Sequence, residues 1–312
     1  MEAKGWSPYL CDLPYKEVVN RATYYAAYEV KCHGLDVGSL RSKFSAVRWM
    51  HVRDHRPNPF KDQDSLSDWI SDYGRMCAPP EPKVAVPALL LELVKLHLNL
   101  ETLDGCAIHA AQCIGFWYLL RSIEYLADDD GVFDPGRSLT FGDLILRDAK
   151  GAVIPLERIA EATQMTIKVY SGKGSLHTCT RTIHRNRDNP LCLLMATQQL
   201  YAVYVAHHGR TPPKTDSLFV LADQSVLSKG RLAKVLKQAA VACGVSASRV
   251  ATHSLRRGGA SAYAAAGVPD ADVQRFGRWT SDGYKRYVTT HSDMMKKGHA
   301  DPARVVPRFE RN

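Results

Sequence analysis

Apolar residues recur at three- and four-residue steps along much of the chain, the spacing that collects them on one face of an α-helix. The pattern first covers residues 15–30 and 39–51, and a third helical segment follows at 65–76. The proline-rich stretch 78–83 then disfavours helix, because a residue before proline is pushed toward extended backbone. We therefore predict a helical domain of residues 1–80 and a larger domain of residues 81–312.

The larger domain is also mainly helical by this criterion, with a short β region inside it. Helical spacing covers residues 87–98, 106–120, 190–207, 228–243, 254–267, 270–276 and 281–289. Alternation of apolar and polar residues predicts strands at 138–147, 164–170 and 176–184, the last two joined by a hairpin turn. The predicted fold class is mostly α, of the α+β type, with a small antiparallel sheet in the second domain.

Charge is spread unevenly over these two domains. The formal net charge of +9 divides into +1 for residues 1–80, −6 for residues 81–165 and +14 for residues 166–312. A C-terminal part this basic favours a polyanionic partner, because phosphate contacts with counterion release dominate affinity for nucleic acids. A basic surface that is merely solvated is the alternative at this point.

Composition and cysteine usage exclude several classes of protein. The most apolar run, 84–100, is interrupted by Pro87, Glu92 and Lys95, so we expect no membrane span. The first residues lack the pattern of a signal peptide. Eight cysteines form no Cys-x-x-Cys pair and show no ligand-like spacing with histidine, so we expect reduced thiols in a reducing compartment and no metal.

Candidate chemistry is densest near the C-terminus. His253 and Arg256 would lie one helical turn apart and could meet a single ligand, but Arg257 could do so too. Arginine suits a phosphate, because its planar fork matches two phosphate oxygens. Gly258-Gly259 removes side-chain bulk beside these residues, which suits the close approach of another backbone.

Two candidates lie upstream of that segment. Arg121 follows an almost fully apolar helix, and Glu124 comes three residues later. Lys173 lies at the tip of the predicted hairpin, in a Gly-Lys-Gly that lacks the glycine spacing of an NTPase phosphate loop. Each of these residues taken alone also fits an ordinary structural role.

In combination, these motifs resemble the tyrosine recombinases of the phage integrase family, in particular those of DIRS-type and crypton-type mobile elements. The resemblance covers most of the chain. It rests on Leu-Arg-Ser-Ile-Glu at 120–124, the hairpin lysine, His-Ser-Leu-Arg-Arg-Gly-Gly at 253–259, Gly-Arg-Trp-Thr-Ser-Asp at 277–282 and Tyr-Lys-Arg-Tyr-Val at 284–288. Residues 1–80 look like the family's core-binding domain, a SAM-like DNA-binding domain.

The resemblance implies DNA strand cleavage that needs no cofactor. Tyr287 would attack the scissile phosphate, giving a 3′-phosphotyrosyl link and a free 5′-hydroxyl. Arg121 and Arg256 would brace the non-bridging oxygens. Lys173 would be the general acid for the leaving 5′-oxygen, and His253 would assist proton transfer.

The remaining assignments are supporting ones. Trp279 takes the position that the family fills with histidine or tryptophan, where it can pack and donate one hydrogen bond but cannot shuttle a proton. Glu124 would orient Arg121 or His253 rather than react. We expect DNA contacts from Lys43, Arg48 and Arg257.

Two assignments keep an alternative. Tyr284 lies one turn before Tyr287; the family's nucleophile generally follows the tryptophan position by eight or nine residues, which favours Tyr287 and leaves Tyr284 for packing or a DNA contact. Lys168 is the alternative to Lys173, but its place within a strand makes it less able to reach a DNA end.

The predicted function is site-specific strand exchange on double-stranded DNA, for integration or transposition of a mobile element. Such enzymes act as homotetramers on two sites, inside the cell, which means the nucleus in a eukaryote and otherwise the cytoplasm. Two alternatives are a catalytically inactive DNA-binding derivative and a type IB topoisomerase, which shares the catalytic set. The family-like N-terminal domain favours the recombinase.

Overall fold

The structure, a computed structural model, describes residues 9–61, 64–76, 83–170, 178–281 and 284–285. Most of the predicted linker 78–83, the hairpin tip with Lys173, and Tyr287 with most of its predicted helix 281–289 lie outside these residues. The chain divides into two compact units, Met1–Pro80 and Glu81–Asn312.

The first unit is built from three helices, each at a place where hydrophobic spacing predicts one. They are α1 (Tyr15–His33), α2 (Val37–Arg53) and α3 (Asp64–Met76). The helix α1 ends at Gly34, whose positive φ of 61° suits a residue without Cβ, and α2 begins after Asp36, whose side chain accepts from the Ser39 N–H. The core of this unit contains Ala22, Ala26, Leu40, Phe44, Leu66 and Ile70.

The second unit is mainly helical and contains one small sheet, which confirms the predicted fold class. Its helices are α4 (Ala88–His97), α5 (Leu103–Trp117), α6 (Leu193–His208), α7 (Lys229–Ala242), α8 (His253–Ala265) and α9 (Asp270–Gly277). Its strands are β1 (Leu144–Arg147), β2 (Val153–Ile154), β3 (Gln164–Tyr170) and β4 (Thr178–His184). Among the described residues, no helix combines the length and the apolar character that a bilayer span requires.

The sheet is antiparallel, with the order β2-β1-β3-β4. The strand predicted at 138–147 is wrong over its first half. Thr140 donates through its N–H and its hydroxyl to Asp143 Oδ2, at 2.9 and 2.8 Å, and residues Phe141–Asp143 form a 3₁₀ turn instead. The strand Val153–Ile154 was not predicted, because two residues are too few for an alternating pattern.

The helix α5 forms the centre of the unit, where it packs against α4, α6 and α8. Every one of its residues except Asp104 is buried, as expected for a helix that is apolar on all sides. It ends at Trp117, three residues before the predicted end. Leu119 takes a left-handed φ of 53°, and the N–H groups of Leu119 and Leu120 return to the carbonyls of Phe116 and Gly115. This Schellman motif turns the chain so that Arg121 follows directly.

The helix α8 approaches α5 and the segment before α4 closely enough to exclude any Cβ at two positions. A Cβ on Gly258 would come closer than 3.0 Å to the carbonyl oxygen of Val86 and to the ring of Phe116, and one on Gly259 would meet the carbonyl of Phe116. The N–H of Val86 donates to the carbonyl of Ser254 at 3.1 Å. The expected close backbone approach at Gly258-Gly259 is therefore confirmed.

Gly258→Ala should lower the free energy of unfolding by about 3 kcal/mol, because the added methyl forces two backbone segments apart. Urea denaturation measures this change. Gly136→Ala is the control, since its Cβ in an exposed loop would meet only a carboxylate oxygen of Asp134 at 3.2 Å; we expect a change within about 0.5 kcal/mol. Equal effects of the two substitutions would contradict the close approach.

Candidate functional site

Arg121 and Glu124 occupy the turn that follows α5. The backbone N–H of Arg121 donates to Glu124 Oε2 at 2.7 Å, and its Nη1 donates to Oε1 at 3.1 Å. The carboxylate is buried, at 3% exposure, whereas the Arg121 side chain is 46% exposed. Of the two roles predicted for Glu124, the structure therefore places it on Arg121: a buried carboxylate fixes a guanidinium whose outer side faces solvent.

A second arginine, Arg278, binds the same carboxylate and was missed by the sequence analysis. Its Nη2 donates to Glu124 Oε2 at 2.7 Å and to the carbonyl of Leu119 at 3.4 Å. Its φ is 60°, and the turn is again a Schellman motif, with hydrogen bonds from the N–H groups of Arg278 and Trp279 to α9 carbonyls. No sequence signal marks this position, since arginine is an uncommon residue in left-handed backbone.

The imidazole of His253 lies at the first residue of α8, at the surface and near several arginines. Loss of hydration, followed by the positive charges of Arg256, Arg257 and Arg121, lowers its pKa to about 4. At neutral pH the free protein therefore carries an uncharged imidazole among cations, which is the form able to accept a proton.

The guanidinium of Arg256 is almost completely buried, at 1% exposure, and Arg257 is half-buried. Arg256 Nη2 donates to the carbonyl of Gly277, and its guanidinium lies 4.4 Å from the centre of the Trp279 ring. Such a desolvated cation–π contact contributes about 2 kcal/mol. Spacing left Arg256 and Arg257 equivalent, and burial against Trp279 distinguishes them.

Trp279 covers the end of α9, where a Cβ on Gly277 would overlap its ring. The ring centre of Tyr284 lies 6.1 Å from that of Trp279, and Tyr284 is only 2% exposed. Tyr284 therefore packs in the core, one of the two roles expected for it if Tyr287 is the nucleophile. Tyr287 itself lies outside the described residues.

Of the two candidate lysines, Lys168 and Lys173, the structure describes only Lys168. Lys168 is exposed and pairs with Thr180 in the middle of the β3–β4 ladder, as expected from its position. Lys173 lies outside the described residues, so the choice between the two stays a prediction.

A further arginine joins the sheet to the end of α9. Arg181 on β4 donates through Nε to the carbonyl of Phe276 and through Nη2 to that of Arg275, both at 2.9 Å. Burial lowers its pKa, and the charges of Arg278 and Arg275 lower it further. Because helix carbonyls carry partial negative charge at the C-terminus, these contacts are favourable and hold α9 against the hairpin.

The predicted DNA contacts of the first unit have different surroundings. Lys43 donates to the hydroxyl of Tyr25 at 3.3 Å and lies 3.3 Å from a carboxylate oxygen of the buried Glu29. Arg48 is exposed. Part of the Lys43 charge is therefore balanced within its own unit, whereas Arg48 faces solvent.

The described part of the site is thus strongly cationic. Arg121 and Arg278 contact one carboxylate, Glu124. The charges of Arg256, Arg257 and Arg121 act on one uncharged imidazole, that of His253. No group of three metal-ligating side chains occurs within the described ranges. An arrangement of this kind can bind an anion with several oxygens and stabilise charge that develops on it.

Glu124→Gln should lower the free energy of unfolding by about 3 kcal/mol, because two guanidinium groups lose a buried carboxylate. Urea denaturation measures this loss. Glu161→Gln is a matched control: it also lies in a 3₁₀ helix and pairs with an arginine three residues earlier, but both side chains are about half exposed. There we expect a change below about 1 kcal/mol, and equal losses would refute the bridging role of Glu124.

His253 should not become protonated in the free protein until the pH falls to about 4. In the unfolded chain its pKa is about 6.5, so below that pH the unfolded state binds a proton that the folded state does not, and stability falls as the pH falls. NMR titration of the imidazole, assigned with His253→Asn, measures the pKa. The variant should lose less stability than the wild type between neutral pH and pH ~4.5; titration of His253 near its unperturbed value would contradict this.

Comparison with known proteins gives one family and several solved structures. The model of the Phage integrase family matches residues 152–294. No match to a curated protein reaches significance. The matched segment includes Lys173, His253, Arg256, Trp279 and Tyr287 and begins after Arg121.

The similar solved structures share little sequence with the chain. The Tn1549 transposon integrase in complex with circular intermediate DNA has 15% identity and a TM-score of 0.45, over 93% of this chain and 87% of that one. The XerA recombinase has 12% identity and a TM-score of 0.42, over 93% and 87%. A lambda integrase dimer bound to a COC′ core site has 13% identity and a TM-score of 0.46, over 94% and 68%. The likeness to the Phage integrase family over residues 152–294 rests on the family model.

Proposed function

We propose that this protein is a tyrosine recombinase that cleaves and rejoins DNA strands through a 3′-phosphotyrosyl intermediate, for integration or transposition of a mobile element. The observation that carries the proposal is that Arg121 lies near His253 and Arg256 packs against Trp279, although Arg121 is far from the other three residues along the chain. The match of residues 152–294 to the integrase family supports the same conclusion.

In the proposed reaction, the arginines act on the charge of the phosphate. Arg121 and Arg256 donate to the non-bridging oxygens, where negative charge increases in the transition state. Donors that are already fixed need no reorganisation at that moment. Glu124 fixes Arg121, and Trp279 together with the Gly277 carbonyl fixes Arg256.

Proton transfers complete the step. The phenolic oxygen of Tyr287 forms a bond to phosphorus while the bond from phosphorus to the 5′-oxygen breaks. His253 accepts the phenolic proton, consistent with its uncharged form in the free protein. Lys173 donates a proton to the leaving 5′-oxygen. Rejoining reverses the sequence with a 5′-hydroxyl as the attacking group, so no external energy source is needed.

The proposal extends to the organisation of the whole molecule. Residues 1–80 form the DNA-binding core-binding domain and residues 81–312 the catalytic domain. Four copies act on two double-stranded DNA sites inside the cell. The net charge of +14 over residues 166–312 supports a nucleic-acid ligand.

We expect wild-type protein to form a covalent adduct with duplex DNA that carries a nick, because a short cleaved fragment diffuses away and traps the phosphotyrosine. The probe is a pool of nicked duplexes with a randomised central region, from which adducts resistant to denaturant are recovered and sequenced. Tyr287→Phe should abolish the adduct, since the nucleophilic oxygen is gone.

Tyr284→Phe is the matched control, because it removes the other candidate oxygen and leaves the buried ring in place. It should retain adduct formation. An adduct that survives in Tyr287→Phe and is lost in Tyr284→Phe would reverse the assignment. Salt-sensitive DNA binding without any adduct would instead support an inactive DNA-binding derivative. Relaxation of supercoiled DNA by a monomer would support the topoisomerase alternative.

A further inference from the structure

We propose that Arg278 is a further phosphate-binding arginine of this site, in addition to Arg121 and Arg256, and that the buried carboxylate of Glu124 positions it together with Arg121. The identity of its ligand as a DNA phosphodiester rests on the proposed function. The capacity to bind a phosphate group rests on the contacts of Arg278 itself.

The backbone of Arg278 places its side chain against α5. Arg278 and Leu119 are both left-handed residues at the ends of helices, and the guanidinium of one donates to the carbonyl of the other. At the corresponding positions after α1 and α6 the chain has Gly34 and Gly209. A side chain in this conformation is unfavourable, and the ion pair with Glu124 offsets that cost.

The guanidinium of Arg278 has donors beyond those that hold it in place. Nη2 binds Glu124 and Leu119, but Nε and Nη1 are buried and have no hydrogen-bond partner among the described residues. The side chain as a whole is 12% exposed. Buried donors of a charged group are costly when unsatisfied, so this site favours a ligand that supplies acceptor oxygens.

The surrounding charges select an anion. Glu124 carries one negative charge and contacts two guanidinium groups, those of Arg121 and Arg278. The charge of Arg278 also acts on Arg181, and that of Arg121 acts on His253. Positive charge therefore exceeds negative charge around Arg278, and a phosphate group offers both the opposite charge and several acceptors.

The two arginines bound to Glu124 therefore approach a phosphate from different sides. Arg121 reaches solvent and can meet a phosphate from the outside, whereas Arg278 contributes from the buried side, next to Trp279. Glu124 is a positioning residue, because it acts on the phosphate only through the two arginines. Arg278 thereby adds a donor that the catalytic set predicted from the sequence does not contain.

The test compares Arg278→Gly with Arg275→Ala. Glycine suits the left-handed position, so Arg278→Gly keeps the Schellman turn while it removes the guanidinium. Arg275→Ala removes one positive charge from the same end of α9, where the side chain is 62% exposed and pairs with Asp272. The first probe is inorganic phosphate at constant ionic strength, and the readout is the rise of the unfolding midpoint with phosphate concentration.

We expect Arg278→Gly to weaken phosphate binding about tenfold or more, because charge-assisted hydrogen bonds are lost. Arg275→Ala should change it by about twofold at most. Arg278→Lys keeps the charge without the planar fork and should fall between the two. Equal responses of Arg278→Gly and Arg275→Ala, or no phosphate binding by the wild type, would overturn the proposal.

The second probe is a nicked duplex recovered in the adduct selection, with either a normal phosphate or a neutral methylphosphonate at the scissile position. Cleavage by Arg278→Gly should be slower than wild type by about 100-fold on the phosphate, and the deficit should shrink on the methylphosphonate, which lacks the charge that Arg278 neutralises. A purely structural role predicts the same deficit on both. If wild type binds phosphate through Arg278 but forms no adduct, the proposed function fails and this inference stands.

Discussion

The candidate site depends on one buried carboxylate, that of Glu124, which contacts two guanidinium groups brought from distant parts of the chain. A lone carboxylate in this environment would be costly, and so would the mostly buried guanidinium of Arg278 without it. Together they link the turn after α5 to the turn after α9, and Trp279 follows the second arginine directly. The stacking of Trp279 on Arg256 then extends the same arrangement to α8. Loss of Glu124 would therefore disturb the ends of α5 and α9 and the contact of α9 with α8, and its effect would not be limited to a single ion pair.

This arrangement is possible because of how the helices end and how closely they pack. Both α5 and α9 finish in Schellman motifs whose left-handed residues, Leu119 and Arg278, are not glycine. Each turn ends its helix abruptly, so that the next residues face the same space instead of continuing outward. Gly258 and Gly259 bring α8 into close contact with α5 and the segment before α4, and Arg256 of the same helix donates to the carbonyl of Gly277. Glycines allow the helices to approach closely, and arginine side chains occupy the site between them.

Sequence patterns predict the parts of this molecule that depend on neighbours along the chain. Helical periodicity locates α1 to α9, and alternation locates β3, because both reflect which face of a local element is buried. The false strand before β1 shows the limit, since residues 138–143 alternate but do not join the sheet. The N–H of Thr140 donates to the side chain of Asp143, and the other N–H groups of this segment donate to carbonyls outside the sheet. The contact between Arg278 and Glu124 spans the chain and depends on a positive φ, neither of which leaves a periodic signal. Spacing likewise could not separate Arg256 from Arg257, because only burial against Trp279 distinguishes them.

The electrostatics of the site connect anion binding to proton transfer. In the free protein, loss of hydration and the neighbouring arginine charges keep the imidazole of His253 uncharged at neutral pH. A bound phosphodiester would place negative charge among the same arginines and so raise the pKa of His253 toward its ordinary value. The site would then hold a base that gains proton affinity when its ligand is present, as the proposed transfer of a proton from Tyr287 requires. A cluster of arginines without the imidazole could bind the phosphate but could not couple that binding to proton transfer. The position of His253 at the start of α8 therefore matters as much as the charges beside it.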